Sequence, residues 1–385
     1  MTAEAAPSQN NSPFDNGTKP AKPGAFKRVI FTVLAIVLGL ALIEGLASLG
    51  LFVFDIAAKS ELPLAERRHT QYDAKLGWVN IPGTVIKDMY GPGRNLTIND
   101  QGFRSVTEYS KAVPPGKTRI MCTGDSFALG YGVGDSDTFC EQLSRIAPNY
   151  EVINMGQGGY GLDQSFLWYE RDGTVVDHDL HLVCLGWLQF DRMFYDNFFG
   201  YAKPTLKLNG NKIVVNNVPV SKRAYYAPWI TQNAELFLSS RVVQFFSRLA
   251  GALSSRNKTA SSVEEVFGVS TSALEAMRLA DERRGSRLVV AWLPTWEEYM
   301  PSQYEGMRVE ILGELRSRGF EIIDLVEVFR RQPLPLVNGL FIGPDDVAAK
   351  YPRSVGHYNK QGSRFIATEL AAELSEILGR DSSPE

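Results

Sequence analysis

Arg119-Ile120-Met121-Cys122-Thr123-Gly124-Asp125-Ser126 decides the fold: a short apolar run closed by a glycine and two polar residues. Such a run, bounded by a turn signal, reads as a strand buried on both faces. A stretch with helical spacing follows at 138–146, so the local unit is strand, turn, helix. In an open parallel sheet, ligand sites lie outside the carboxyl ends of the strands. Ser126 stands at that position, on a turn that Gly124 permits. The same serine would also serve as an ordinary turn or cap residue.

Outward from this unit the alternation repeats. Apolar runs at 119–124, 150–154, 181–187, 287–293 and 320–325 read as buried strands. Helical spacing falls at 138–146, 162–171, 270–284, 304–318 and 360–378. The pattern predicts an α/β domain over 117–380, with a parallel sheet of five strands covered on both faces. An insertion at about 192–268 separates the third and fourth strands. It holds an Asn209-Gly210 hairpin signal, the aromatics Tyr225, Tyr226, Trp229 and Phe237, and an amphipathic helix candidate at 241–253. Upstream, 62–115 carries Gly, Pro and Asn turn signals between short apolar stretches and reads as a small β-rich lead-in.

The N-terminal 1–25 is rich in Pro, Ser, Asn, Ala and Lys and reads as a disordered tail. From Val29 to Phe54 (29–54) the chain is apolar except for Glu44 and a few small residues. A span needs about 20 such residues, so this segment reads as a transmembrane signal anchor. Lys19, Lys22, Lys27 and Arg28 precede it, whereas Lys59, Arg67 and Arg68 beyond it are mixed with Glu61 and Glu66. The imbalance predicts a cytoplasmic N-terminus and an extracytoplasmic main domain, periplasmic if the cell has an outer membrane. Glu44 is either protonated or turned towards a partner helix.

Composition narrows the chemistry. Of 385 residues 44% are hydrophobic and 22% charged, with a net charge of −3 and the two signs interspersed. No basic stripe is available to track phosphates, which argues against a nucleic-acid partner. The three cysteines, Cys122, Cys140 and Cys184, lack metal-ligand spacing and read as buried thiols, one bridge being the alternative. His69, His178, His181 and His357 are the only histidines. His178 and His181 read as polar residues at a strand edge.

The remaining candidates follow the predicted strands. After the second comes Asn154-Met155-Gly156-Gln157-Gly158-Gly159-Tyr160-Gly161, a bare backbone that can bring N–H groups to an oxyanion. Its spacing fits neither a dinucleotide fingerprint nor a P-loop. After the third comes Trp187-Leu188-Gln189-Phe190-Asp191, and His357-Tyr358-Asn359 precedes the last helix.

These four blocks together resemble the SGNH (GDSL-type) hydrolase family, from about 117 to 378. Lead-in residues such as Gly102-Phe103-Arg104 extend the similarity to a membrane-anchored branch associated with bacterial surface polysaccharides. The resemblance implies a flavodoxin-like three-layer α/β/α fold and acyl-ester chemistry without a metal or cofactor. It makes Ser126 the nucleophile, His357 the base, and the N–H groups of Ser126 and Gly159 oxyanion donors. Asp125, Tyr160, Asp191 and Trp187 become the candidate substrate-binding residues. The expected substrate is an acylated glycan, in particular O-acetyl groups of a surface polysaccharide, with water or a sugar hydroxyl as acceptor. Envelope polysaccharide-assembly proteins are the expected partners. Two positions depart from the family pattern. Phe190 stands where the third block carries asparagine, leaving Gln189 as the substitute amide. Val355 and Ser354 stand where an acid precedes the histidine, leaving Asp345 or Asp346 to reach His357 from upstream, or a backbone carbonyl to take the acid's place. The alternative function is a catalytically impaired binding or scaffold subunit of an envelope assembly.

Overall fold

A computed structural model describes residues 24–57, 66–198, 201–210, 212–220, 240–242, 245–246, 249, 262–300 and 304–380. Nearly all of the 1–25 tail, the aromatics Tyr225 to Phe237 and much of the candidate helix at 241–253 lie outside the described residues.

Helix α1 (Ala25–Ala57) is the long apolar segment; Ala25–Gly50 has a mean hydropathy of 2.6 and its most apolar window is unburied. At 1.5 Å per residue it exceeds the ~30 Å hydrocarbon core, so it is long and apolar enough to cross a membrane. Glu44 finds partners within the chain. Its carboxylate accepts from Ser240 Oγ and the Val242 N–H, both at 3.2 Å, and from the Arg241 N–H.

The lead-in forms two small antiparallel pairs, β1 (Thr70–Asp73) with β2 (Gly77–Asn80) and β3 (Val85–Ile86) with β4 (Leu96–Thr97). The main domain then runs β5 (Thr118–Gly124), α2 (Ser126–Leu129), α3 (Phe139–Ile146), β6 (Tyr150–Gly156), α4 (Leu162–Trp168), β7 (Leu180–Leu185) and α5 (Trp187–Met193). Two hairpins open the insertion: β8 (Asn197–Phe198) with β9 (Tyr201–Ala202), and β10 (Thr205–Asn209) with β11 (Lys212–Asn216). Then come α6 (Val263–Glu282), β12 (Arg287–Trp292), α7 (Glu305–Ser317), β13 (Glu321–Asp324), α8 (Leu325–Arg330) and α9 (Lys360–Arg380).

The five core strands are parallel in the order β13-β12-β7-β5-β6, the flavodoxin-like arrangement. The chain leaves β5 towards β6 on one side and later returns as β7 on the other, so the topological switch point is the carboxyl end of β5. Side chains alternate between two apolar layers. Met121, Val183 and Val290 pack under α4, α5, α6 and α7. Ile120, Leu182 and Val289 pack under α3, α8 and α9.

Two details differ from the sequence pattern. Helix α6 begins at Val263 rather than near 270, with Ser262 Oγ capping the Glu265 N–H and Val266 and Phe267 in the core. Gly268 breaks the helical pattern there without breaking the helix, because burial of the flanking face outweighs the roughly 1 kcal/mol penalty. His178 and His181 are not edge residues. His181 lies 2.9 Å from both Thr123 Oγ1 and Asp281 Oδ2, and His178 lies 2.9 Å from the Tyr169 hydroxyl, which also bonds Asp281. This closed buried network lets Asp281 keep its charge inside the fold.

Candidate active site

Ser126 is the first residue of α2, immediately beyond β5. Asp125 caps that helix, accepting the Phe127 N–H at 3.0 Å. The N–H of Ser126 is one of the donors that a helix start leaves without an intrahelical acceptor. Block two is fastened beside it: the Gln157 N–H donates to the Gly124 carbonyl, and Asn154 Nδ2 donates to the Ala128 carbonyl. Gly156 packs so closely on α2 that a Cβ there would lie 2.2 Å from Leu129 N. Gly159 has φ +78°, and a Cβ would sit 2.5 Å from the Phe198 ring. Only glycine meets both demands.

His357 comes from the loop before α9. Its Nε2 lies 2.7 Å from Ser126 Oγ. The ring is held between Phe127, stacked at 4.6 Å, and Tyr131 at 5.1 Å. Loss of solvation lowers the imidazole pKa to about 4, opposed by the nearby Asp125 charge and reinforced by Arg192. The ring is therefore neutral near pH 7, and in the tautomer protonated on Nδ1 its Nε2 accepts the Ser126 hydroxyl proton. Nδ1 makes no well-formed hydrogen bond among the described residues, but the backbone of Ser354 and Arg353 lies close enough to favour its protonated form.

Neither expected acid reaches that nitrogen. Asp346 makes a forked ion pair with Arg94, at 2.6 and 3.1 Å, and caps a turn by accepting the Ala348 N–H. Asp345 is exposed. The lead-in accounts for this: Tyr90 packs on Tyr351, Arg68 donates to the Tyr351 hydroxyl, and Arg94 takes Asp346. The loop carrying His357 is thus held from the lead-in side, and Asp346 is used in holding it.

Other expected positions divide in the same way. Gln189 is buried and donates from Nε2 to the Cys184 carbonyl at 2.8 Å, so it does not replace the missing amide at the cleft. Phe190 stacks on Trp292 at 5.7 Å within the core. Tyr160 is fully buried with its hydroxyl on the Trp78 carbonyl, which removes its side chain from substrate contact. Asp125 is buried in an ion pair with Arg192, so its carboxylate is likewise unavailable to a substrate. Asp191 is half-buried on α5. Trp187 is half-buried, stacked on Tyr304 at 3.7 Å with its Nε1 donating to Thr295.

No family model and no curated protein matches this sequence. Among solved structures the chain is similar to a lipase/acylhydrolase from Enterococcus faecalis, at 12% identity, covering 67% of this chain and 96% of that one, TM-score 0.38. It is also similar to an acetyl xylan esterase (12% identity, 66% and 98% covered, TM-score 0.37). A third is a lipolytic G-D-S-L family protein from Veillonella parvula (12% identity, 66% and 97% covered, TM-score 0.36).

Residues that the sequence pattern did not single out complete the surroundings. Arg192 Nη1 donates to Asp125 Oδ2 at 2.7 Å and to the Tyr160 carbonyl at 2.8 Å. Lys203, fully buried, pairs with Asp163 and donates to the Arg192 carbonyl at 3.4 Å. Burial raises the pKa of Asp163, and the lysine opposes that rise. The sequence signal for both cations was available: each lies within or beside a predominantly apolar, packed segment, where an isolated charge needs a partner.

Proposed function

We propose that this chain is a membrane-anchored serine acyl-ester hydrolase or O-acyltransferase of the SGNH type. Its domain works outside the cytoplasm on an acylated carbohydrate, with O-acetyl groups of a surface polysaccharide as the substrate class. The observation that carries the reading is the 2.7 Å approach of Ser126 Oγ to His357 Nε2 at the switch point of a parallel sheet. A neutral imidazole beside a serine hydroxyl is the requirement for general-base activation of the nucleophile.

Ser126 Oγ bonds to the ester carbonyl carbon as its proton passes to His357 Nε2. The carbonyl electron pair moves to oxygen, where the N–H groups of Ser126 and Gly159 receive it. Collapse expels the alcohol, which takes the proton from His357 and leaves an acyl-serine. Water or an acceptor hydroxyl then attacks the acyl-serine, its proton passing to His357. Collapse of the second intermediate returns that proton to Ser126 Oγ. The apolar helix supports anchoring, and Lys27 and Arg28 at its start support a cytoplasmic N-terminus.

A second reading, a non-catalytic subunit that binds glycan in an envelope assembly, is favoured by the absence of a carboxylate at His357 Nδ1 among the described residues and by the engagement of Gln189. The two separate on hydrolysis of p-nitrophenyl acetate by the full chain in detergent, beside Ser126→Ala and His357→Ala. The enzyme reading expects each variant to lose about 10³-fold or more. Turnover that neither substitution changes would sink it. A wild-type chain inert both to this ester and to an acetyl donor with a glycan acceptor would favour the binding subunit.

A further inference from the structure

Two residues beyond Phe190, where a side-chain amide was expected, α5 carries a cation. Arg192 Nη1 joins Asp125 Oδ2, at 2.7 Å, to the Tyr160 carbonyl, at 2.8 Å. Asp125 precedes Ser126 and Tyr160 follows Gly159, so the guanidinium bridges the turns that carry the nucleophile and the second backbone donor. Phe198, the ring that forbids a side chain at Gly159, covers one face of the guanidinium at 5.2 Å. Nε and Nη2 have no acceptor among the described residues and are not among its sealed polar atoms. With the side chain 9% exposed, these N–H groups are the part of Arg192 that faces outward. The Arg192 charge also acts on the His357 ring, lowering its pKa. Gln189, the alternative donor, faces Cys184 instead.

We infer that Arg192 is a catalytic residue, whose outward N–H groups give the tetrahedral oxyanion a third, charged donor in place of the absent amide. The inference rests on the esterase reading of Ser126 and His357. When Ser126 Oγ adds to the carbonyl carbon and its proton passes to His357, the electron pair displaced to oxygen lies between Ser126 N–H, Gly159 N–H and Arg192. The guanidinium gives up no proton. Its hydrogen bond strengthens as the oxygen gains charge and relaxes when the alkoxide leaves and takes the proton from His357. Asp125 and the Tyr160 carbonyl hold the fork in place before substrate arrives, which is the preorganisation that such a donor needs.

The test compares wild type, Arg192→Ala and Arg192→Lys as full chains in detergent, with p-nitrophenyl acetate, a neutral ester that offers arginine no carboxylate. Arg192→Ala should lose about 10²–10³-fold in kcat with KM within about threefold. Arg192→Lys should recover part of the loss, and millimolar guanidinium should restore part of the Arg192→Ala rate. The rate at which a fluorophosphonate labels Ser126 should fall in parallel, because the phosphonyl oxygen occupies the oxyanion position. An Arg192→Ala enzyme with wild-type kcat, or with only a raised KM, would overturn the inference and leave the esterase reading standing. So would a loss that guanidinium does not rescue and that Asp125→Asn reproduces with the same fall in Tm, since the arginine would then only hold Asp125. A wild-type chain that neither turns over ester nor is labelled at Ser126 overturns both. Should Arg192→Ala fail to fold, Arg192→Lys and its labelling rate decide alone.

Discussion

At the scale of single residues, the site differs from an acid-supported serine–histidine pair in the electrostatics of its base. His357 has aromatic rings on both faces and no carboxylate on Nδ1, so burial dominates and its pKa falls from 6.5 to about 4. On the proposed mechanism neutral imidazole is the active form, so activity is expected to fall as pH drops through that lowered value. The pH profile of kcat/KM should accordingly be flat from pH 8 to well below 6.5, and a half-maximal point near 7 would contradict it. A base this weak abstracts a proton with less driving force, so modest turnover accompanies the wide acid range. The Ser126–His357 approach and the positive φ of Gly159 follow from local signals in the sequence: a strand end, a glycine turn, a helix start. Asp345 and Asp346 were not assignable that way. Asp346 is held by Arg94, some 250 residues upstream, and Tyr90 packs on the same loop at Tyr351; no local pattern encodes such contacts.

At the scale of elements, the strands and most helices could be read directly, since a strand buried on both faces is an apolar run and its covering helix is periodic. The short helix α2 is different, because four residues cannot sustain themselves and tertiary contacts hold them. Arg104 supplies the largest of these contacts. Its guanidinium donates to the carbonyls of Leu129, Gly130 and Val133, at 2.7, 2.6 and 2.6 Å, just beyond the end of α2. Removing it takes the guanidinium donor from the Leu129 and Val133 carbonyls, while the Gly130 carbonyl keeps the Val133 N–H at 3.4 Å. At about 1–3 kcal/mol for each unsatisfied group, Arg104→Ala should cost about 2 kcal/mol or more. The expected result is a Tm several degrees lower, with Ser126 labelled more slowly than in wild type at temperatures where both remain folded. Unchanged melting and labelling would show that α2 keeps its position without the lead-in. The buried His178–Asp281–His181 cluster escaped the sequence pattern for a related reason: Asp281 lies a hundred residues from His181 and closes the network only in the folded chain.

At the scale of the whole molecule, the same burial that tunes the site makes the fold sensitive to acid. His69 is fully buried in the lead-in, 3.1 Å from Asn80, and desolvation, aided by the charges of Arg104 and Arg68, lowers its pKa from 6.5 to about 4. The unfolded chain therefore binds a proton at this residue between pH 6.5 and 4 while the folded chain does not. Stability rises with pH wherever the unfolded state holds more protons, so it falls as pH drops through that window, by about 3 kcal/mol for this residue. His181 and His357 act in the same direction. Asp163 and Glu298, raised by burial, act in the opposite one, so the total slope is not the useful quantity. A difference measurement isolates His69. His69→Gln keeps an amide to pair with Asn80 but cannot titrate. Its Tm should begin somewhat below wild type at pH 7, and the gap should close or reverse by pH 4. A gap that stays constant across the range would mean that His69 charges inside the fold, with Arg68 and Arg104 turning away to admit it. The lead-in, which also holds the His357 loop and α2, would then be looser than its packing indicates.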